Sequence, residues 1–152
     1  MYFQEFIKEY SNDQVEIYVD MDGVIADYIV GEAYDYDKKR PLYNNLKALE
    51  EVSNYPNVTM HILSITKKNI GRDEKNIWLD KYAPFFKKEN RVIISKEENA
   101  NIPSEILKLN HLKELDYSNK VIVLIDDDPT ILHTVRKEIK DIVLLKDTAL
   151  VD

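Results

Sequence analysis

Two acidic residues follow the first strand-like segment of the chain, and residues of this type could hold a metal ion. Asp20 and Asp22 end the stretch VEIYVDMD, and Gly23 comes next. Another pair, Asp126 and Asp127, follows the apolar run VIVLI at 121–125. Two carboxylates about 4 Å apart repel each other by roughly 4 kcal/mol at an effective dielectric constant near 20. A cluster of them therefore needs a cation, and all-oxygen ligands favour a hard divalent ion such as Mg²⁺.

The same residues could also take part in a reaction at phosphorus. A carboxylate beside a metal can attack a phosphoryl group and form an aspartyl-phosphate. A second acid two residues away could protonate the leaving oxygen and then deprotonate water. A hydroxyl and a lysine at the ends of neighbouring strands could bind the phosphoryl oxygens. The residue types therefore fit phosphoryl transfer as well as metal binding.

Hydrophobic periodicity alternates between strand and helix along the chain. It predicts strands at 15–19, 58–65, 91–95, 121–125 and 142–145, and helices at 3–10, 42–53, 73–82, 103–115 and 129–140. Strands joined by helices form parallel sheets that are covered on both faces. We therefore predict a doubly wound, Rossmann-like α/β fold, a three-layer sandwich around about five parallel strands, with residues 1–152 as a single domain. In such a sheet, side chains beyond the carboxyl ends of the strands share one crevice.

Three motifs in this crevice resemble those of the haloacid dehalogenase (HAD) superfamily of phosphohydrolases. DMDGV at 20–24 is similar to its first motif, DxDG(V/T). HILS at 61–64 is similar to the second motif, an apolar strand that ends in Ser or Thr. LIDDD at 124–128 is similar to the fourth, an apolar strand that ends in an acidic pair. The motifs occur in the family's order on predicted parallel strands, and the likeness extends over nearly the whole chain.

The resemblance implies roles for the residues of the first two motifs. Asp20 would be the nucleophile and a metal ligand. Asp22 would be the general acid and base, and its backbone carbonyl would contact the metal. Ser64 and the adjoining Ile65 would bind the phosphoryl group. The whole chain would then be a Mg²⁺-dependent phosphatase that acts on a phosphomonoester through an aspartyl-phosphate.

The remaining family residues are a second pair of metal ligands and a lysine. Asp126 would bind Mg²⁺, and Asp127 would assist directly or through water. Three lysines could supply the third motif, and we rank them Lys108, Lys96 and Lys113. Lys108 comes first because it lies on the helix before the fourth strand, 18 residues upstream of Asp126.

The identity of the substrate stays open. KNIWLDKYAP at 75–84 resembles a stretch of the deoxyribonucleotidase branch, which implies a small phosphorylated substrate such as a nucleoside monophosphate. The large helical cap of that branch does not fit between Asp20 and Ser64. A short lid-like segment at 25–41 remains, so the site should have little or no cap. Open sites of this kind often take larger substrates or borrow a lid from a neighbouring subunit, which leaves a homo-oligomer open.

Charge and composition limit the partners, the location and the nucleotide-binding motifs that this chain could have. The net charge of −7 argues against a nucleic-acid partner, because such binders usually carry a basic surface. The chain has no cysteine, which fits a cytoplasmic location, and its apolar runs are too short to span a membrane. Its three glycines cannot form a P-loop or a GxGxxG motif.

Two alternative functions remain beside the small-molecule phosphatase. One is a catalytically silent HAD-like module that binds phosphate or metal, and the uncertain third motif keeps it open. The other is a polynucleotide-end phosphatase, which a small cap permits and the acidic charge disfavours. The order of the motifs argues against a receiver domain. There an acidic pair follows the first strand and the phosphorylated Asp follows the third, whereas here DxDG follows the first strand and the acidic run follows the fourth.

Among individual residues, Asp128 is interpreted as a helix cap before Pro129. Trp78 is interpreted as a core residue, together with Ile77 and Tyr82 on one buried helix face.

Overall fold

The predicted alternation of strands and helices is present in the computed structural model, which describes residues 2–28 and 35–151. The strands are β1 (Gln14–Val19), β2 (Val58–Thr66), β3 (Arg91–Ser95), β4 (Lys120–Asp126) and β5 (Val143–Lys146). All strand pairs within the described residues are parallel, in the order β3-β2-β1-β4-β5. The predicted fold class, an α/β fold with a five-stranded parallel sheet, is confirmed.

Five α-helices connect and cover the strands within the described residues. They are α1 (Tyr2–Lys8), α2 (Tyr43–Ser53), α3 (Asn69–Tyr82), α4 (Ser104–Lys113) and α5 (Pro129–Glu138). Short 3-10 helices occur at Tyr36–Lys38, Lys88–Asn90 and Asp147–Leu150. None of the α-helices is both long enough and apolar enough to cross a bilayer, as far as the described residues go.

The two faces of the sheet carry separate hydrophobic layers, as the doubly wound prediction requires. Residues of α1, α2 and α3, among them Leu49 and Leu79, pack with Ile17 on one face. Residues of α4 and α5, among them Leu112 and Val135, pack on the other face. The central strand β4 is buried between these layers from Ile122 to Asp126, which explains its unbroken apolar run, whereas the edge strand β5 is only partly buried.

The strand order places the acidic residues at a break in the winding direction. After β1 the chain adds β2 and β3 on one side, and it then returns to add β4 and β5 on the other. Adjacent crossovers diverge between β1 and β4, and open α/β sheets bind ligands at such a point. Asp20 follows β1 and Asp126 ends β4, and the Asp20 amide donates to the Ile125 carbonyl at 3.0 Å. The main chain therefore fixes the two acidic motifs next to each other.

Some helix predictions were wrong in detail. Helix α3 begins at Asn69, four residues before the predicted start, and its buried side chains are Lys75, Trp78 and Leu79. Ile77 is 62% exposed and does not lie on the buried face, whereas Trp78 is buried as predicted. Helix α2 begins at Tyr43, one residue after the predicted start.

The segment at 25–41 is described in part, since residues 29–34 lie outside the described residues. Its two ends pair with each other: the Asp27 amide donates to the Arg40 carbonyl at 2.8 Å, and the Leu42 amide donates to the Ile25 carbonyl at 2.8 Å. The Trp78 indole donates to the Lys39 carbonyl at 3.0 Å and ties the segment to α3. A lid function for this segment, the single domain and the cytoplasmic location stay predictions.

The interpretation of Asp128 as a helix cap is confirmed, and it leads to a first testable prediction. Its side chain accepts a hydrogen bond from the Thr130 amide at 2.9 Å, with Pro129 in the first turn of α5. Replacing Asp128 by alanine should lower the free energy of unfolding by about 1 kcal/mol, the usual value of such a cap. Urea denaturation measures this loss, and Asp128→Ser should restore most of it. Loss of Mg²⁺ affinity at unchanged stability would contradict the capping role.

Candidate active site

Three carboxylates meet at the carboxyl ends of β1 and β4. One oxygen from each of Asp20, Asp126 and Asp127 lies within 4.8 Å of the others, a spacing that a single metal ion could bridge. Asp126 is fully buried and Asp20 nearly so. The Asp128 amide donates to Asp126 Oδ1 at 3.0 Å, which orients that carboxylate toward the cluster. The donor set consists only of oxygen atoms and fits Mg²⁺.

Mutual repulsion and burial control the charge of this cluster. Burial and the neighbouring Asp20 raise the pKa of Asp126 to about 6. Burial, Asp20 and Asp126 raise the pKa of Asp127 to about 7. Because a metal ligand must be deprotonated, binding of a divalent cation near neutral pH should displace protons from these groups. Clustered carboxylates with raised pKa values are expected at a cation-binding site. Without a cation, their repulsion and burial destabilise the fold.

A buried lysine reaches this cluster from the α4 layer. Lys108 Nζ donates to Asp20 Oδ1 at 2.9 Å and to Asp126 Oδ2 at 2.7 Å, and the residue is 2% exposed. Burial alone would lower the pKa of its ammonium, but Asp20 and Asp126 outweigh burial and raise the pKa, so Lys108 stays charged. The structure thus places the first-ranked lysine beside the predicted nucleophile.

The other two lysines considered for the third motif lie elsewhere. Lys113 Nζ is 3.8 Å from Glu138 on α5, with half of its side chain exposed. Lys96 follows β3, the edge strand, and its amide donates to the Thr66 carbonyl at 2.9 Å. Neither forms an ion pair with the acidic cluster among the contacts of the described residues.

The turn after β1 brings its backbone close to the acidic cluster and needs a glycine. Gly23 adopts a φ of +83°, in the left-handed region that side chains disfavour. A Cβ at this position would also collide with the Asp127 carboxylate. The Gly23 amide donates to the Ala26 carbonyl at 2.8 Å, which closes the turn. The glycine of the DxDG motif therefore lets Asp22 turn away from Asp20 while Asp127 approaches.

The Asp22 side chain is separate from the three-carboxylate cluster and binds two lysines. Lys39 Nζ donates to Asp22 Oδ1 at 2.7 Å, and Lys75 Nζ donates to Oδ2 at 3.3 Å. Burial would raise the pKa of Asp22, but Lys75 and Lys39 outweigh it and lower the pKa. The implied metal contact of Asp22 was through its backbone carbonyl, and the position of its side chain is consistent with an acid–base role instead of ligation.

Lys75 is a site residue to which the sequence analysis assigned no role. Its ammonium donates to Ser64 Oγ at 2.7 Å and to the Ile65 carbonyl at 2.7 Å, as well as to Asp22. The residue is 3% exposed, and burial, the largest influence, lowers its pKa even though Asp22 opposes the shift. Lys75 thus joins the predicted phosphate-binding positions on β2 to the predicted acid–base residue.

Helical spacing could have revealed this lysine. Lys75 lies three residues before Trp78 and four before Leu79, so all three share one face of α3. A lysine on the buried face of a helix is rare unless it is paired with an acceptor. The same spacing is present in the sequence at 75–84, where Lys75 precedes Trp78 by three residues.

Tyr36 covers the Asp22 side of the site. The Lys39 and Lys75 ammonium groups lie 4.8 Å and 5.3 Å from the centre of its ring. Trp78 packs edge-on against the same ring at 6.0 Å. Burial, with smaller contributions from Asp22 and Asp20, raises the pKa of Tyr36, so its hydroxyl stays protonated.

Comparison with known proteins identifies the fold. The sequence matches no protein-family model and no curated protein. Two solved structures of the Pnkp1/Rnl/Hen1 RNA repair complex contain a similar chain, with 17% and 16% identity and TM-scores of 0.68 and 0.69. They cover 89% and 88% of this chain, and 42% and 46% of their own.

A third similar structure is the N-terminal part of the protein BF1531 from Bacteroides fragilis, which contains a phosphatase domain complexed with Mg. It is 15% identical with a TM-score of 0.53, and the match covers 87% of this chain and 35% of that one. The chain therefore shares its α/β fold with part of this structure and with part of the similar chains in the RNA repair complex. It spans less than half the length of the solved chains that it matches.

Proposed function

We propose that this chain is a Mg²⁺-dependent phosphatase of HAD type that hydrolyses phosphomonoesters through an aspartyl-phosphate on Asp20. The observation that carries the proposal is the convergence of Asp20, Asp126 and Asp127 within 4.8 Å of one another. Lys108 is hydrogen-bonded to the first two. When bound by these carboxylates, Mg²⁺ would supply positive charge that lowers the repulsion between Asp20 and the phosphoryl group.

The protein residues divide the reaction between them. A carboxylate oxygen of Asp20 forms a bond to phosphorus while the ester bond to the leaving oxygen breaks. Asp22 gives the leaving oxygen a proton, and it later takes a proton from the water that attacks the phosphorylated Asp20. That attack releases inorganic phosphate and regenerates Asp20. Ser64 and Lys108 hold the phosphoryl oxygens during both steps.

The lysines around Asp22 suit its role as a general base more directly than its role as a general acid. Lys39 and Lys75 favour its charged form, which is the form that accepts a proton from water. To protonate the leaving oxygen, Asp22 needs a free oxygen atom and a proton. Lys39, which belongs to the segment at 25–41, donates to Asp22 Oδ1 at 2.7 Å. An anionic phosphoryl group supplies a competing partner for the Lys39 ammonium, so substrate binding should weaken its contact with Asp22 and favour protonation of that carboxylate.

Phosphate release from a substrate panel tests this proposal. The panel contains p-nitrophenyl phosphate, nucleoside monophosphates, sugar phosphates and phosphorylated oligonucleotides, each with Mg²⁺ and with EDTA. We expect turnover with Mg²⁺ and loss of turnover with EDTA, because chelation leaves the three carboxylates without a cation. No release from any substrate by the folded, Mg²⁺-binding protein would contradict the proposal and favour the silent binding module.

A polynucleotide-end phosphatase is the second candidate. It is supported by the likeness to a chain of an RNA repair complex, which shares only the fold at 17% identity. The predicted lack of a large cap is compatible with a bulky substrate. The net charge of −7 argues against a polynucleotide substrate. A phosphorylated oligonucleotide that is hydrolysed better than the matching mononucleotide would favour this candidate, and the reverse order would favour the nucleotidase.

A further inference from the structure

The hydroxyl of Tyr36 is a buried polar atom that forms no hydrogen bond of good distance and angle within the described part of the chain, although the Asp22 carboxylate lies near enough to interact with it. Burial of an unpaired hydroxyl is unfavourable, and buried polar groups are nearly always satisfied in folded proteins. The exception therefore needs a reason. The residue is 7% exposed, so bulk water does not freely solvate the group.

The surroundings of Tyr36 hold its ring in one place. Trp78 packs against one edge at 6.0 Å, and the ammonium groups of Lys39 and Lys75 lie over the ring at 4.8 Å and 5.3 Å. Cations over an aromatic ring are attracted to it, most strongly where both are desolvated. The hydroxyl is therefore presented at a fixed position before any ligand binds, which is what preorganised recognition requires.

Tyr36 also lies beside the reacting end of the site. The two ammonium groups over its ring, those of Lys39 and Lys75, donate to the Asp22 carboxylate at 2.7 Å and 3.3 Å. In the proposed mechanism Asp22 must touch the leaving oxygen of the substrate. A donor beside Asp22 therefore lies beside the leaving group.

We propose that Tyr36 is a specificity-determining residue whose hydroxyl donates a hydrogen bond to an oxygen of the leaving group, next to the ester oxygen. This inference rests on the proposed phosphatase function. It favours an alcohol that carries a second oxygen near the ester, as sugars and nucleosides do. A plain aryl alcohol offers no such acceptor. The arrangement thus selects among phosphomonoesters by the chemistry of the alcohol instead of the phosphate.

Substitution of Tyr36 by phenylalanine removes only the hydroxyl and keeps the ring between Trp78 and the two lysines. We expect kcat/KM for a nucleoside monophosphate to fall about tenfold, which corresponds to about 1.4 kcal/mol for one lost hydrogen bond. The value for p-nitrophenyl phosphate should stay within about twofold, since an effect of that size is below the worth of a typical hydrogen bond. Competitive inhibition by inorganic phosphate should not change.

Tyr82→Phe is the matched control, because Tyr82 also packs against the Trp78 ring, at 5.0 Å, and lies two helical turns from Lys75. It should leave the ratio of the two substrates unchanged. Equal loss for both substrates with Tyr36→Phe, or no loss for either, would overturn the inference while leaving the phosphatase proposal intact. If the wild-type protein releases phosphate from no substrate of the full panel, the proposed function fails and the inference fails with it.

Discussion

Replacing Asp20 by asparagine should abolish phosphate release without unfolding the protein. The amide has nearly the same shape as the carboxylate, but it cannot form the aspartyl-phosphate and it is a weaker metal ligand. Loss of a catalytic nucleophile commonly lowers kcat by many orders of magnitude, and we expect a fall of at least about a thousandfold. Phosphate release from p-nitrophenyl phosphate with saturating Mg²⁺ measures this change.

The fold should tolerate this substitution because the cluster loses one of three mutually repelling carboxylates. Lys108 keeps its hydrogen bond to Asp126 at 2.7 Å, so its ammonium is not left without an acceptor. Thermal unfolding without Mg²⁺ should therefore be nearly unchanged. Addition of Mg²⁺ should stabilise the wild-type protein more than the variant, since a ligand stabilises the state that binds it.

The exposed Asp141 provides the control, because it precedes β5 and so lies at the amino-terminal ends of the strands, away from the acidic cluster. Asp141→Asn removes the same charge from the chain and should retain full activity and the full response to Mg²⁺. Substantial turnover by the Asp20→Asn variant would eliminate Asp20 as the nucleophile. Equal loss of activity in both variants would indicate an effect of net charge instead of a reaction at Asp20.

The placement of Asp20 beside Asp126 could be predicted from the sequence because both depend on short-range patterns. Each residue ends an apolar strand, and strands alternating with helices must be parallel. Parallel strands bring their carboxyl ends to one edge, so residues more than a hundred positions apart meet there without any long-range information. The motif order supplied the same expectation through the family resemblance.

The contacts made by the lysines could not be read from the sequence in the same way. Lys108 and Asp20 are 88 positions apart in the sequence, and whether their side chains meet depends on how α4 packs on the sheet. The error at α3 has a similar origin. A helix starting at residue 73 leaves the face of Ile77 undetermined, whereas the observed burial of Lys75, Trp78 and Leu79 sets its orientation and exposes Ile77. A polar side chain on a buried face becomes interpretable only when its acceptors are known.

Lys75 provides the second prediction with a large expected effect. Its ammonium donates to Ser64 Oγ, so the hydroxyl proton of Ser64 must point elsewhere and is free to donate to a phosphoryl oxygen. The same ammonium holds the Ile65 carbonyl and one oxygen of Asp22. We therefore propose that Lys75 is a positioning residue that aligns the proposed phosphate-binding end of β2 with the proposed acid–base residue Asp22.

Substitution of Lys75 by methionine should lower kcat/KM by between about tenfold and a hundredfold, because hydrogen bonds to a charged group are worth about 1.5–3 kcal/mol. Methionine fills the same apolar volume, and Asp22 keeps Lys39 as a partner, so the protein should remain folded. Lys75→Arg should not restore activity, since a planar guanidinium cannot reproduce three contacts made around one nitrogen atom. Lys81→Met, on the exposed side of the same helix, serves as the matched control.

A double-mutant cycle with Ser64→Ala separates positioning from general destabilisation. If Lys75 acts through Ser64, removal of the hydroxyl should lower kcat/KM much less in the Lys75→Met protein than in the wild type, because the hydroxyl is no longer oriented there. Thermal unfolding of all four proteins shows whether stability follows the same pattern. Additive losses in kcat/KM would contradict the proposed coupling and reduce Lys75 to a buried cation that balances the charge of Asp22. Non-additive losses in kcat/KM with additive stabilities would place the phosphoryl-binding hydroxyl and its lysine in one functional unit, because only the reaction then depends on their contact.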